Sequence, residues 1–154
     1  MQPKFVVSDP EKCTGCQICE YVCSAVKEGG FNPLLSRIRS VRVELAFNKA
    51  AACRLCEDPP CVVACPKKAL SRDEKTGIIR VEEDKCNACA WCIEKCEYGA
   101  IVLHPVKKTV VVCDLCDGDP KCISHCPTEA LYLATSDEKP QKSRDKIDKT
   151  NIQR

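Results

Sequence analysis

The stretch Cys86-Asn-Ala-Cys89-Ala-Trp-Cys92-Ile-Glu-Lys-Cys96 decides the fold of this chain. Its first three cysteines stand three residues apart, and a fourth follows after three further residues. A short loop with three thiolates at this spacing can wrap one face of a compact metal cluster. The fourth cysteine is too far along the chain to reach the same cluster, so we expect it to serve a neighbouring one.

Related runs occur four times and together use all sixteen cysteines of the 154-residue chain. We name them motifs I to IV, and their cysteines are Cys13, Cys16, Cys19 and Cys23; Cys53, Cys56, Cys61 and Cys65; Cys86, Cys89, Cys92 and Cys96; and Cys113, Cys116, Cys122 and Cys126. Motifs I and III are compact, whereas motifs II and IV contain an Asp-Pro insertion and end in Cys-Pro-x2-Ala-Leu. This recurrence predicts four 4Fe–4S clusters with all sixteen cysteines as ligands.

Two other uses of so many cysteines compete with this prediction. A disulfide-bonded secreted scaffold fits their density, but the first ten residues contain no secretory signal. Structural zinc fits paired Cys-x2-Cys units, and a zinc-stabilised interaction module without a redox role remains an alternative. Iron–sulfur is favoured over zinc because zinc takes four ligands, whereas these runs place a third cysteine within the same tight loop.

The composition indicates that the metal must also stabilise the fold. Aromatic residues make up only 5% of the chain, and the hydrophobic fraction of 44% includes the sixteen cysteines. The remaining apolar residues are few for a self-sufficient core, so we expect the clusters to replace the missing burial.

The composition also excludes several function classes. No stretch approaches about 18 apolar residues, so no membrane span is expected, and the missing signal predicts a cytoplasmic protein. The formal charge of +2 counts thiols as neutral, and four clusters at −2 each would lower it to about −6. That sign, and the lack of a basic stripe with interleaved aromatics, exclude a nucleic-acid partner. No catalytic triad, carboxylate pair or phosphate loop stands out, so the chain is not expected to be an enzyme by itself.

Hydrophobic patterning between the motifs predicts an α+β fold of short elements. Apolar residues at helical spacing predict a helix from about Gln17, ended by Gly29-Gly30. Alternating apolar runs predict strands at 4–7, 69–70, 77–81, 100–103, 109–112 and 130–133. Residues 136–154 form a charged tail that is expected to be mobile alone.

Three arginines between motifs I and II form the most prominent basic segment. Arg37, Arg39 and Arg42 interleave with apolar residues. We favour an exposed edge strand with a solvated basic face, and a docking surface for an acidic partner is the alternative.

Four further side chains are candidates for roles beside the clusters. His104 and His125 could bind metal, but sixteen thiolates already fill four clusters, so positions on the surface or beside a ligand are favoured. Trp91 and Tyr21 lie beside ligands in the sequence, where aromatic rings more often shield a cluster from water than carry electrons.

On the strength of these motifs, the chain resembles the four-cluster, ferredoxin-type (polyferredoxin) electron-transfer subunits of multi-subunit oxidoreductases. These include the iron–sulfur subunits of dimethyl sulfoxide reductase and formate dehydrogenase, and the electron-transfer protein of carbon monoxide dehydrogenase. The resemblance covers residues 4–133. The short form, with Phe31-Asn-Pro and Ser36-Arg-Ile-Arg39 after motif I, is most similar to the carbon monoxide dehydrogenase carrier and to small subunits of tungsten aldehyde oxidoreductases.

The resemblance implies a nested arrangement, in which motif I pairs with motif IV and motif II with motif III. The implied ligand sets are Cys13, Cys16, Cys19 and Cys126 for cluster 1; Cys23, Cys113, Cys116 and Cys122 for cluster 2; Cys53, Cys56, Cys61 and Cys96 for cluster 3; and Cys65, Cys86, Cys89 and Cys92 for cluster 4. Spacing alone also permits a sequential pairing, since twenty residues separate motifs II and III and sixteen separate motifs III and IV.

The same resemblance implies two bacterial-ferredoxin-like modules in one chain. Module A would comprise residues 1–50 and 105–135, module B residues 51–104, and the tail residues 136–154. The implied function is electron transfer between a larger catalytic subunit, a tungsten-dependent aldehyde oxidoreductase in the favoured case, and an acceptor such as a soluble ferredoxin. The alternative is a free polyferredoxin, or one associated with carbon monoxide dehydrogenase or hydrogenase.

Overall fold

The computed structural model describes residues 4–43 and 47–136. Within them the chain forms short strands and helices in the order β1, α1, β2, β3, α2, β4, β5, α3, β6, β7, α4, β8. The helices are α1 (Ile18–Glu28), α2 (Pro60–Val63), α3 (Trp91–Lys95) and α4 (Lys121–Ser124). The strands are β1 (Phe5–Ser8), β2 (Arg39–Val43), β3 (Phe47–Ala51), β4 (Leu70–Arg72), β5 (Ile79–Val81), β6 (Ile101–Leu103), β7 (Val110–Val112) and β8 (Leu131–Ala134).

The strands pair into two-stranded antiparallel sheets, one of which joins the two ends of the described chain. Strand β1 pairs with β8, so that Phe5 lies opposite Ala134 and Ser8 opposite Leu131. Helix α1 packs against α4, and α2 packs against α3. Motif I therefore lies beside motif IV, and motif II beside motif III.

Helix α1 begins and ends close to the predicted positions. It runs from Ile18 to Glu28, and Gly29 at its end has φ 70° and donates its backbone N–H to the carbonyl oxygen of Ala25. Glycine adopts this left-handed conformation without the Cβ penalty, which explains why the helix stops there. The other three helices have only four or five residues, because each begins one residue before the third cysteine of its motif and ends before the fourth.

Four of the predicted strands pair into two hairpins. Strand β4 pairs with β5, and the carboxylate of Asp73 accepts backbone N–H groups of Lys75 and Thr76 in the turn. Strand β6 pairs with β7 in the same way. In that turn the Nδ1 atom of His104 accepts the backbone N–H groups of Val106 and Lys107 at 3.2 and 3.0 Å.

The prediction of a solvated basic strand between motifs I and II is wrong for two of its three arginines. The strand pairs as β2 with β3, and Arg42 is exposed as expected. Arg39 instead turns back to donate to the carbonyl oxygens of Pro33 and Leu34, and Arg37 forms an ion pair with Asp114 at 3.0 Å. Alternation along a strand cannot predict these contacts, because their partners are distant in sequence or in an irregular turn.

The core is a main cluster of apolar side chains and cysteines, beside a small second cluster of Val41 and Ala51. Ile38, Leu55 and Val110 are its most deeply buried large side chains. Its members come from both of the predicted modules, so the described halves share a core. The predicted tail, apart from Ser136, lies outside the described residues.

Candidate iron–sulfur centres

Three cavities are each lined by four cysteines, and each set combines two motifs that are distant in sequence. Their empty volumes are nearly equal, ≈ 330, ≈ 300 and ≈ 320 Å³. The sets are, in that order, Cys23, Cys113, Cys116 and Cys122; Cys65, Cys86, Cys89 and Cys92; and Cys13, Cys16, Cys19 and Cys126. The equal donor sets indicate the same kind of occupant in all three.

The remaining four cysteines also lie near one another. Burial, together with the charges of Cys96 and Cys56, raises the pKa of Cys61 to about 11. Burial is likewise the main cause that raises the pKa of Cys53 to about 12, with a contribution from Cys96. The structure thus brings the last cysteine of motif III to the first three of motif II.

Each motif begins with the same unusual backbone conformation. The residue two positions after the first cysteine has a positive φ in all four loops: 71° at Gly15, 50° at Leu55, 58° at Ala88 and 57° at Leu115. A left-handed residue within such a loop turns successive backbone N–H groups towards one side, and concavities of this kind bind anions, including iron–sulfur clusters. Three of the four positions are not glycine, which indicates that the surrounding structure imposes the conformation.

The last cysteine of each motif accepts a backbone hydrogen bond at its sulfur. The amides of Ala69, Ala100 and Ala130 donate to the sulfurs four residues earlier, at 3.3, 3.4 and 3.3 Å. The sulfur of Cys23 accepts the amide of Arg37 at 3.3 Å instead, because helix α1 continues past that cysteine. Hydrogen bonds to sulfur stabilise a thiolate and shift the reduction potential of a bound cluster.

A tight turn aims three of these amides. Lys68, Gly99 and Glu129 precede the three donating alanines and have φ values of 51°, 58° and 52°. The alanines that follow are at most 2% exposed, and each leads directly into a strand. The Cys-x3-Ala repeat in the sequence is therefore a turn that holds a ligand sulfur and starts a strand.

The buried thiols need a positive partner before they can ionise. Burial raises the pKa of Cys19 and Cys113 to about 12 and that of Cys92 to about 11. Burial acts to raise the pKa of Cys126, but hydrogen bonds from the backbone of Ala130 and from Thr128 outweigh it and hold the pKa below its usual value. The irons of a bound cluster would supply the missing positive charge, so the donor set fits a 4Fe–4S cluster with four thiolates.

The spacing of the side chains fits a cluster better than single zinc ions. Among the described residues, no group of three or more His, Cys, Asp or Glu side chains could hold one metal ion. A structural zinc needs four ligands at about 2.3 Å from a common centre, whereas a cubane cluster takes one cysteine on each of four irons.

The four cysteine sets follow one another through the molecule. After the larger effect of burial, the charge of a nearby cysteine also raises three pKa values. Cys19 raises that of Cys122, Cys113 raises that of Cys53, and Cys92 raises that of Cys61. These pairs link the sets of clusters 1 and 2, 2 and 3, and 3 and 4. Only two cysteines of the chain are exposed, Cys16 in the first set and Cys89 in the last. The row therefore has two ends that reach the surface.

Charged and aromatic side chains that sequence patterns did not reveal surround the sets. Lys27 forms an ion pair with Asp114 at 2.7 Å, beside the cavity of Cys116. The guanidinium of Arg54 lies 5.0 Å from the ring centre of Phe5 and 5.4 Å from that of Tyr98. None of these contacts has a local sequence signal, since each joins residues that are distant in sequence.

The flanking candidates occupy positions consistent with structural roles. His104 is buried and caps the β6–β7 turn, whereas His125 is exposed and its Nδ1 lies 2.8 Å from the carbonyl oxygen of Lys121. Trp91 is 61% exposed and Tyr21 40% exposed, so burial does not support the prediction that both rings shield a cluster from water. No helix within 4–43 and 47–136 is both long and apolar enough to cross a membrane.

Comparison with known proteins agrees with this site. Residues 44–136, more than half of the chain, match the family model described as a 4Fe-4S dicluster domain. The polyferredoxin-like subunit of aliphatic sulfonate oxidoreductase from Pyrococcus furiosus is 41% identical over 88% of this chain and 80% of its own length. The electron transport protein HydN of Escherichia coli is 31% identical over 97% of this chain and 98% of its own length.

Two further proteins extend the comparison to large enzymes. The beta subunit of NADH-dependent phenylglyoxylate dehydrogenase from Aromatoleum evansii is 40% identical over 85% of this chain, which spans only 30% of that subunit. A solved structure of the active site complex BamBC of benzoyl coenzyme A reductase, in complex with zinc, aligns with a TM-score of 0.52 and 27% identity over 92% of this chain and 84% of its own.

The names of these relatives agree on one role. They describe an electron transport protein, a polyferredoxin-like subunit and a subunit of a dehydrogenase, and this chain is likewise an electron-transfer protein and not a catalytic subunit. Its small mixed fold and its cysteine loops are consistent with a ferredoxin-like 4Fe–4S protein. The chain belongs to the family of 4Fe–4S dicluster proteins, the ferredoxin-type electron-transfer proteins that include the polyferredoxin-like subunits of oxidoreductases.

Proposed function

We propose that this chain holds four 4Fe–4S clusters in the nested arrangement and relays electrons between a larger catalytic oxidoreductase subunit and an external acceptor. The proposed ligands are Cys13, Cys16, Cys19 and Cys126 for cluster 1; Cys23, Cys113, Cys116 and Cys122 for cluster 2; Cys53, Cys56, Cys61 and Cys96 for cluster 3; and Cys65, Cys86, Cys89 and Cys92 for cluster 4. The observation that carries the proposal is the trio of cavities that are each lined by four cysteines from two distant motifs.

When bound, such clusters exchange single electrons. The protein residues position them and adjust their environment. Short loops fix the sulfurs, and amides such as that of Ala130 donate to them at 3.3 Å. Buried side chains such as Leu55 and Ile38 exclude water around the inner sets. The exposed thiols, Cys16 and Cys89, belong to the two outer sets, so electrons would enter and leave at opposite ends of the row.

We infer the two modules from the same arrangement. Module A (residues 1–50 and 105–135) contains the β1–β8 sheet and the α1–α4 contact, and module B (residues 51–104) contains the α2–α3 contact. The boundary after residue 104 falls in the turn of the β6–β7 hairpin, so hydrogen-bonded strands join the modules. This close connection supports continuous electron transfer between them.

The proposed partner is a larger catalytic subunit, with a tungsten-dependent aldehyde oxidoreductase as the favoured type. The short form of the chain supports this type, and the P. furiosus relative, a polyferredoxin-like subunit of an aliphatic sulfonate oxidoreductase, supports a subunit role. The chain itself would supply no substrate chemistry.

Metal analysis tests the cluster count. Protein isolated without oxygen should contain about sixteen iron and sixteen sulfide per chain, four of each for every cluster. A chain that contains mainly zinc, or iron for only two clusters, would contradict the proposal. A brown colour that bleaches on reduction separates it from the zinc-stabilised module.

Native purification tests the partner. The chain should elute in a complex with a larger subunit, and the tungsten content and the aldehyde and sulfonate oxidation rates of that complex identify its type. The second candidate is a free carrier, which HydN favours because the match covers 98% of that electron transport protein. A chain that elutes alone and exchanges electrons with several enzymes supports this candidate and contradicts the subunit role.

A further inference from the structure

Three exposed lysines without a described partner belong to the segments that hold the cysteine set of Cys89. Lys67 lines the same cavity as Cys89, and Lys68 follows it in the left-handed turn. Lys95 lies one helical turn after Trp91 on α3, so these two side chains share one face of the helix. The three lysines are exposed, and none forms an ion pair with a residue that the structure describes.

An exposed aromatic ring follows Cys89 closely in the sequence. Trp91 is the only tryptophan of the chain, it is 61% exposed, and it stands two residues after Cys89. Large amphipathic rings of this kind are enriched in protein interfaces, where they supply most of the binding energy. We name Lys67, Lys68, Trp91 and Lys95 the Cys89 surface.

The internal repeat allows the charge of the Cys89 surface to be compared with that of the equivalent positions around Cys16. Around Cys16, at the other end of the row, the turn Cys126-Pro-Thr-Glu-Ala-Leu corresponds to Cys65-Pro-Lys-Lys-Ala-Leu. Helix α1 has Ile18 and Val22 where α3 has Trp91 and Lys95.

The two ends therefore differ in charge although they have the same backbone. At the corresponding positions the Cys89 surface has three positive side chains, and the Cys16 end has only the negative Glu129. Glu94, the acidic residue of α3, already takes part in an intramolecular contact. Bound clusters would add the same charge at both ends, so the difference in side-chain charge would remain.

We propose that the Cys89 surface is the docking site for a small acidic iron–sulfur electron carrier, such as an acidic ferredoxin. This inference rests on the proposed function, because it takes the thiols around Cys89 to hold the terminal cluster. Three unpaired lysines attract and orient an acidic face, and the exposed Trp91 ring supplies the apolar contact.

The docking leads to a simple electron exchange. The reduced cluster beside Cys89 would give up one electron and be oxidised, and the oxidised carrier would be reduced by that electron. The same docking also permits the reverse transfer, from a reduced carrier to the oxidised cluster, which is the direction the test uses. No bond forms or breaks, and no proton has to move. The Cys16 end, which lacks this basic surface, is left for the catalytic subunit.

The internal repeat also supplies the test variant. Replacing Lys67→Thr and Lys68→Glu gives the turn the sequence that already forms after Cys126, where Glu129 has φ 52° against 51° for Lys68. The variant should therefore fold and keep its iron, but it loses three units of positive charge at the docking site. A control with Lys12→Thr and Lys75→Glu changes two exposed lysines elsewhere by the same total charge.

The measurement is stopped-flow reduction of the full chain by a pre-reduced acidic two-cluster ferredoxin at several salt concentrations. For the unmodified protein the second-order rate constant should fall at least tenfold from low to high salt, because screening removes the attraction. At low salt the Lys67/Lys68 variant should be slower by at least tenfold, with little remaining salt dependence. The control variant should stay within about twofold of the unmodified protein.

Two results separate the possible failures. If dithionite reduces all variants normally but the Lys67/Lys68 variant keeps the full rate with ferredoxin, the docking proposal is wrong. The docking proposal is also wrong if only the Lys12/Lys75 control reacts more slowly with ferredoxin. If dithionite reduces none of the proteins and iron is absent, the proposed function itself has failed. A Trp91→Ala variant gives a second measurement, since its dissociation constant for ferredoxin should rise about tenfold with unchanged salt dependence.

Discussion

At the residue scale, the cluster loops depend on left-handed backbone conformations that residues other than glycine do not favour. Leu55, Ala88 and Leu115 have positive φ values, which cost an L-residue about 1–2 kcal/mol each. Gly15 is the only one of the four equivalent positions where the sequence itself signals the conformation. The cysteine spacing predicts which residues carry sulfur, but it does not predict the loop geometry or the amides that donate to Cys65, Cys96 and Cys126, because any residue type supplies an amide.

A substitution at Gly15 tests the loop geometry. Gly15 has φ 71°, and a Cβ atom there would lie 2.7 Å from Cγ and Oδ1 of Asn48. Gly15→Ala should therefore lower stability by about 1–2 kcal/mol, from the left-handed backbone and the displaced side chain. The measurement is the denaturant midpoint for loss of cluster absorbance under anaerobic conditions.

The surrounding residues supply the controls for this substitution. Gly30→Ala should leave the midpoint nearly unchanged, because a Cβ there meets open space at an ordinary φ. Asn48→Ala should recover part of the loss in the Gly15→Ala background, since it removes the contact but not the backbone cost. Full stability of Gly15→Ala alone would show that the loop differs from the one described.

At the element scale, a partly buried ion group joins the end of α1 to the β6–β7 turn. Glu28, whose side chain is 10% exposed, lies 3.1 Å from Lys107 Nζ, 3.4 Å from His104 Nε2 and 3.7 Å from Arg37. The elements themselves were predictable from apolar spacing and from Gly29. This group was not, because its members lie in three separate parts of the sequence.

Neutralising Glu28 should loosen this contact. Burial acts to raise the pKa of Glu28, but the hydrogen bond and charge of Lys107, together with His104, outweigh it and lower the pKa below 4.5. The folded state therefore gains stability from the carboxylate above about pH 4.5 and loses it as the pH falls through the lowered pKa. Glu28→Gln should cost about 1–2 kcal/mol at pH 7.

Hydrogen exchange of the α1 amides, compared at pH 7 and pH 4, measures this contribution. The difference between Glu28→Gln and the unmodified protein should shrink at the lower pH. Glu82→Gln is the matched control, since the Glu82–Lys85 pair is about half exposed and should change stability by less than about 0.5 kcal/mol. An equal effect of both substitutions would mean that the Glu28 group contributes nothing specific.

At the scale of the whole molecule, the metal is expected to be part of the fold. Few large apolar side chains are deeply buried, and many core members are cysteines. Ligand sets such as Cys13 with Cys126 join segments that are distant along the chain, so loss of the clusters removes these connections. Chelating the iron under reducing conditions should therefore abolish cooperative unfolding, measured by circular dichroism against denaturant. A sharp transition in metal-free protein would show that the apolar core suffices.

The overall architecture was more predictable than its interactions. Four cysteine motifs and the apolar runs between them indicate the strands, the helices and the kind of cofactor. They do not distinguish nested from sequential wiring, because a cysteine spacing describes one loop and not the loop it faces. The contact of α1 with α4 and of α2 with α3 supports the nested form, and the proximity of Cys96 to Cys61 does so as well.

Paramagnetic resonance of reduced cysteine variants tests this nested wiring most directly. Cys96 lies in motif III, but the nested arrangement places it in the cluster of motif II. Cys96→Ser should therefore remove or convert the same signal as Cys56→Ser, and Cys89→Ser should match Cys65→Ser. If Cys96→Ser instead resembles Cys116→Ser, the wiring is sequential and the nested assignment of the ligands is wrong.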